Sequence, residues 1–177
     1  MAVPDYQSLM LPLLRLAGEK NDETSTGEAA EILAKEFGLT NEDLKEMLPS
    51  GIKSRFVNRV GWASTYMRKA GLLEATRRGY YKITPRGQEL LKKQPKAINV
   101  KLLKQYPEFL EFQQLKGTRS GDRESSSGTT LDVTTATPSE ALETAYENLR
   151  NELADELLAR SLSEYFFFIS FVICCGA

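Results

Sequence analysis

The stretch from Lys53 to Leu91 restricts the fold of this chain more than any other, because it dictates a helix, a tight hairpin and a second helix in immediate succession. From Ser54 to Ala70 the apolar residues Phe56, Val60, Ala63, Met67 and Ala70 recur at steps of four, three, four and three, one face of an α-helix. That face belongs in a core. Turned roughly 100° from it runs a second stripe, Arg55, Arg59, Trp62, Tyr66 and Lys69, which is basic and aromatic. Gly71 stops the helix, since a residue without Cβ takes the left-handed conformation that a helix end requires. Leu73–Thr76, the turn Arg77-Arg78-Gly79 and Tyr80–Ile83 then predict a β-hairpin, with Leu73 and Ala75 facing Tyr81 and Ile83. Thr84 as N-cap and Pro85 at the first helical position open the closing helix. A helix followed by a basic two-stranded hairpin is the plan of a winged helix, so the expected class is mainly α with a small β-hairpin (α+β).

The flanking segments supply the remaining core. Tyr6, Leu9, Met10, Leu13, Leu14 and Ala17 repeat at helical spacing, with Gly18 as the expected end of a first helix. Residues 19–26 are predicted as a loop. Ser25 and Glu28 have the form of a capping box for a second helix that buries Ala29, Ile32, Leu33 and Phe37 and ends at Gly38. Thr40 and Asp43 begin a short third helix carrying Leu44, Met47 and Leu48, which Pro49 terminates. Past Lys93, Ile98, Leu103, Phe109 and Phe112 are too apolar for a free linker, so residues up to 115 are expected to pack back on the domain. Residues 116–137 are rich in Gly, Ser and Thr and predict a flexible linker. Thr137-Pro138-Ser139-Glu140 starts an amphipathic helix expected to reach about residue 161, with Leu142, Tyr146, Leu149, Leu153 and Leu157 as its stripe. An apolar tail, 162–177, follows.

Charge is strongly partitioned. Residues 1–50 hold four Lys/Arg against ten Asp/Glu, residues 51–105 fourteen against two, and residues 106–177 five against twelve, for an overall −1. A block of +12 confined to the helix-and-hairpin segment is the electrostatic footprint of a DNA-facing surface. The chain has no histidine, which excludes imidazole bases, Ser-His or Cys-His nucleophiles and His-ligated metal sites within it. Cys174 and Cys175 are adjacent and lack the spacing of a zinc or redox motif. No metal or cofactor is therefore expected. The N-terminus shows no basic region followed by an apolar stretch, which makes the cytoplasm the default. The longest apolar run, Tyr165–Cys175, would span ~16 Å as a helix, roughly half a bilayer core, so no membrane span is expected.

The wording of the central segment is also familiar. Asn58-Arg59-Val60-Gly61-Trp62-Ala63, then Tyr66-Met67-Arg68-Lys69-Ala70-Gly71-Leu72-Leu73, then Arg78-Gly79-Tyr80-Tyr81-Lys82-Ile83-Thr84 with Gly87, resembles the N-terminal domain of the Mrr family of restriction endonucleases. Val3-Pro4-Asp5-Tyr6, Tyr106-Pro107-Glu108-Phe109 with Phe112, and the helix start at Thr137-Pro138 are similar to the same family. The resemblance implies a winged-helix DNA-recognition domain that, in whole members, precedes a metal-dependent nuclease domain directed at modified foreign DNA. Residues 165–176 resemble a damaged start of that nuclease domain. No residue matches its acidic and Gln-x-Lys catalytic set, so this chain is expected not to be an enzyme on its own.

Candidate DNA contacts are Arg55, Arg59 and Lys69 on the helix and Arg77, Arg78 and Lys82 on the hairpin. The helix residues would reach base edges in the major groove, and the hairpin arginines phosphate or the minor groove. Four to six phosphate contacts predict a log-log salt slope of about −4 to −5. Trp62 and Tyr66 are candidates for contact with a base or methyl group, against the alternative that they cover the edge of the core. The expected partner is double-stranded DNA, with methylated DNA implied by the resemblance. The leucine stripe of residues 139–160 points to a homodimer or to collapse on the domain. Two other readings stand beside this one: a transcription regulator dimerising through that helix, and a winged-helix module for an acidic protein partner.

Overall fold

The structure, a computed structural model, describes residues 3–20, 22–118 and 136–175, with side chains up to 114 and from 136 to 160. Helix α1 (Tyr6–Lys20) leads to the two-residue strand β1 (Thr24–Ser25), α2 (Thr26–Glu36), α3 (Asn41–Lys45) and α4 (Arg55–Lys69). Strands β2 (Leu73–Arg77) and β3 (Tyr80–Ile83) form the hairpin, and α5 (Pro85–Lys92), α6 (Val100–Leu103), α7 (Pro107–Thr118) and α8 (Pro138–Cys175) complete the order. The fold is mainly α with one small antiparallel sheet of order β1-β3-β2. The hairpin has the expected register, Leu73 opposite Ile83 and Ala75 opposite Tyr81, with a bulge between Ala75 and Arg77.

The core is built where the apolar stripes converge. Leu9, Met10, Leu13 and Leu14 of α1 meet Leu33 of α2 and Phe56, Val60, Ala63 and Met67 of α4, all without solvent contact. Ile98, Leu103 and Phe109 are buried in the same cluster, so the segment after α5 packs back on the domain. Gly71 ends α4 at φ +70°, with Gly71 N donating to Arg68 O and Leu72 N to Met67 O, the paired bonds of a Schellman cap. Thr84 Oγ1 accepts from Gly87 N at 3.1 Å and caps α5 behind Pro85.

Four local expectations are corrected. Helix α1 runs through Gly18 to Lys20: the missing side chain at Gly18 serves close packing, since a Cβ there would lie 2.7 Å from Leu91 Cδ1. Part of the loop predicted over 19–26 is β1, which pairs Thr24 with Tyr81 and Ser25 with Tyr80. Helix α3 stops at Lys45, before Met47 and Leu48, because Glu46 O accepts from Arg55 N and Leu48 N donates to Lys53 O, closing a small bridged loop. Helix α8 does not end near residue 161 but continues to Cys175 over 38 residues. Most of the predicted linker lies outside the described residues; at its ends, α7 extends to Thr118 and Thr137 is buried.

Candidate nucleic-acid interface

Helix α4 organises two different surfaces, one on each flank. On the first flank, Val57, Gly61 and Thr65 form the floor of an open groove of about 540 Å³ bounded by the start of α2 and the hairpin turn. Three cations stand around it: Lys53, Arg68 and Arg78. Each is positioned by local backbone structure. Lys53 sits in the bridged loop before α4, its carbonyl accepting from Leu48 N at 2.9 Å. Arg68 Nη2 donates to Thr65 Oγ1 at 3.2 Å, and Thr65 in turn donates to Gly61 O at 2.9 Å. Arg78 is presented by the tight turn at Gly79, φ +81°, whose carbonyl accepts from both Thr26 N at 2.8 Å and Thr26 Oγ1 at 3.1 Å. The tip of the hairpin is thereby fastened to the first turn of α2.

All three side chains are exposed, and among the described residues none of them forms an ion pair. Unpaired cations at a groove beside a helix N-terminus create a local positive potential and present donors to an anion.

The opposite flank of α4 carries the stripe that sequence periodicity marked as the DNA face, and there the side chains are largely occupied within the protein. Arg59 Nε donates to Glu140 Oε1 at 2.9 Å, while Nη1 donates to the carbonyls of Val3 at 2.7 Å and Pro4 at 3.1 Å. Arg55 pairs with Glu46 at 2.6 Å and lies 3.8 Å from Glu140. Trp62 Nε1 donates to Ser139 Oγ at 3.0 Å, although Trp62 also reaches the wall of the cationic groove. Tyr66 is surrounded by the rings of Tyr6, Trp62, Phe109 and Phe112, with centroids 5.4 to 6.2 Å away. Burial pushes the Tyr6 hydroxyl up to about 12, helped by Tyr66, and raises Tyr66 as well. Lys69 lies over Phe112 at 5.3 Å.

On the hairpin, Arg77 pairs with Glu23 at 3.2 Å and stacks on Tyr80 at 3.7 Å, and Lys82 lies 3.9 Å from Glu74. Tyr81 is core, its hydroxyl raised by burial with Glu28 adding to the effect. Of the six predicted cations, Arg78 is the one that lines the groove. Lys53 and Arg68 were not singled out, although the stripe Val57, Gly61, Thr65, Arg68 at steps of four, four and three was readable beside the other two.

What occupies the second flank is the first turn of α8. Thr137 and Glu140 form a reciprocal cap, Thr137 N donating to Glu140 Oε2 at 2.7 Å and Glu140 N to Thr137 Oγ1 at 3.3 Å. Asn58 Nδ2 donates to the same Thr137 hydroxyl at 2.8 Å in a buried position, and Ser50 N donates to Glu143 at 3.0 Å. Among the described residues no group of three or more His, Cys, Asp or Glu side chains is arranged to hold a metal ion, and no helix is long and apolar enough to cross a membrane.

The family described as the Mrr N-terminal domain matches residues 6–93, from the first residue of α1 to the cap of α5. The chain belongs to the Mrr family. The Type IV methyl-directed restriction enzyme EcoKMrr of Escherichia coli (strain K12) is 26% identical over 175 residues, covering 92% of this chain and 54% of that relative. The chain thus spans about half the length of the curated relative it matches. No solved structure matches it. Both flanks of α4 and the whole hairpin fall inside the Mrr N-terminal domain, whereas the α8 turn that covers one flank lies beyond it.

Proposed function

We propose that this Mrr-family chain is the target-recognition part of a restriction system, binding double-stranded DNA through the groove between α4 and the hairpin. The observation that carries this reading is the convergence of Lys53, Arg68 and Arg78, without ion-pair partners among the described residues, on one groove beside a half-buried helix flank. In a winged-helix docking geometry, α4 enters the major groove with Arg68 and Thr65 toward base edges, and Arg78 on the hairpin meets phosphate or the minor groove. Of the aromatic side chains in the groove wall, Trp62, Tyr80 and Tyr81, Trp62 on α4 is the candidate for contact with a modified base; Tyr66, held among four rings, does not line the groove. The methyl-directed activity named for the Escherichia coli relative supports a methylated target.

The chain contributes binding rather than cleavage in this reading, and metal-dependent nicking of a duplex by the purified 177-residue protein would refute that part. The direct test is fluorescence anisotropy with one duplex in unmethylated and methylated forms across a salt series. Three to five phosphate contacts predict a log-log slope of about −3 to −4.5, with tighter binding to the methylated form. Binding that ignores salt, or that is absent, would redirect attention to an acidic protein partner.

A further inference from the structure

Two surfaces of this molecule have no partner among its described residues, and they are complementary. The first is a groove of about 890 Å³ between α1 and α5. Leu11, Gly18 and Leu91 give it an apolar floor, and Arg15, Lys92 and Lys96 stand exposed around it. None of these three cations forms an ion pair among the described residues, and Glu19 is the one carboxylate residue in the lining. Gly18 lets Leu91 pack directly against α1 at the groove floor, where a Cβ would lie 2.7 Å from Leu91 Cδ1.

The second surface is the stripe on α8. Leu142, Tyr146, Leu149 and Leu153 are 72%, 66%, 55% and 50% exposed, and Leu157 extends the row at 67%. Their i, i+4, i+7, i+11 spacing is that of a helix seated in an apolar groove. Residues 138–160 hold six acidic residues against two arginines. At 100° per residue, Glu152 and Glu156 border one edge of the stripe, and of the two Glu156 also holds Arg160 of the same helix at 3.0 Å in an exposed pair. The helix is acidic where the groove is basic.

A molecule cannot fill its own groove this way. Its α8 is fixed by its first turn to α4 and by Glu143 to Ser50, then continues as one helix to Cys175, with every residue from 145 to 160 exposed. Returning to the α1–α5 groove would require breaking that helix.

We propose that the α1–α5 groove receives the acidic leucine stripe of α8 from a second copy of this chain. Two-fold symmetry makes the exchange reciprocal, so each dimer contains two helix-in-groove contacts. The site shares no lining residue with the cationic groove beside α4, and its existence does not depend on DNA binding.

Sedimentation equilibrium of the full chain, alone and with charge-reversed variants, tests the exchange. The double variant Lys92→Glu/Lys96→Glu places acid against acid, and Glu152→Lys/Glu156→Lys places base against base; each should weaken dimerisation at least tenfold, with circular dichroism unchanged. Mixing the two variants should restore a heterodimer, because both of its contacts again join opposite charges. A wild-type chain monomeric at 100 µM overturns the proposal. So does a dimer indifferent to the groove reversal, the result expected if α8 pairs with α8, and so does a mixture that fails to recover.

Discussion

Replacing Arg59 with alanine removes the side chain that ties α4, the first turn of α8 and the entry to α1 together. Its charge-assisted bond to Glu140 falls in the class worth about 1.5–3 kcal/mol, and each bond to the Val3 and Pro4 carbonyls in the class worth about 0.5–1.5 kcal/mol. The two charged side chains are only 15% and 9% exposed, so deletion strands the Glu140 carboxylate where water scarcely replaces the lost partner. Breaking a fully buried pair from one side costs about 3–5 kcal/mol. Here Thr137 N still donates to Glu140 and Arg55 Nε remains 3.8 Å away, which places the expected loss near the lower end, about 3 kcal/mol. For a chain of this size that is roughly 6–12 °C in Tm. Urea and thermal denaturation followed by circular dichroism measure the loss, and duplex binding is then compared at a temperature where both proteins are folded. A variant that keeps its Tm within about 2 °C while losing tenfold in DNA affinity would refute the assignment, because the guanidinium would then be facing DNA.

Three other predictions concern different links in the same structure. Arg68→Ala and Arg78→Ala, both on exposed side chains, should leave stability within about 0.5 kcal/mol but each weaken duplex binding and reduce the magnitude of the salt slope by about 1, read by anisotropy. Gly87→Ala should cost about 1–3 kcal/mol, because its Cβ would lie 2.4 Å from Leu72 O and 2.8 Å from Ile83 Cγ1; Gly18→Ala, which meets only movable side chains, should be much milder in the same melts. Asp43 is held down to about 2, first by the Thr40 hydroxyl and then by the Thr40 backbone N–H. Its folded value lies below the unfolded one, so its contribution is present above about pH 4 and is lost as pH falls from there toward 2. A carboxyl NMR titration checks this, and Thr40→Val should return Asp43 toward the ordinary range.

What sequence periodicity revealed was the buried face of α4, because a core stripe is an absolute pattern: Phe56, Val60, Ala63 and Met67 recur with nothing polar among them. The hairpin register was equally legible, since Leu73 and Ile83 need a common face and Gly79 needs a turn. Strand β1 was not, because two residues cannot display an alternation; Thr24–Ser25 becomes a strand only when Tyr80–Tyr81 is there to pair with it. Which flank of α4 a later segment covers was not legible for a related reason. A helix with one buried stripe has two flanks, and charge alone does not say which of them a later segment covers. Arg55, Arg59 and Trp62 are basic and aromatic, as a DNA-reading face would be, yet the same chemistry holds a capped helix start through Glu140 and Ser139. The Thr137-Pro138-Ser139-Glu140 cap was itself legible, but the side chains that donate to it lie more than 75 residues back along the chain, at Asn58 and Arg59, and no local pattern records that distance. Once α8 takes that flank, the cations at the other flank of α4 are Lys53, Arg68 and Arg78, which form no ion pair among the described residues. The groove is thus defined by subtraction, through the folding of a helix outside the Mrr N-terminal domain. It follows that Thr137→Val or Glu140→Gln should loosen α8 first, exposing Arg55, Arg59 and Trp62 as a second cationic flank on α4. Hydrogen exchange should show faster opening at 138–144 in these variants while α1 and α2 keep their protection. Uniform loss of protection across the core would instead show that the α8 turn is an integral part of the domain, with no separate opening of its own.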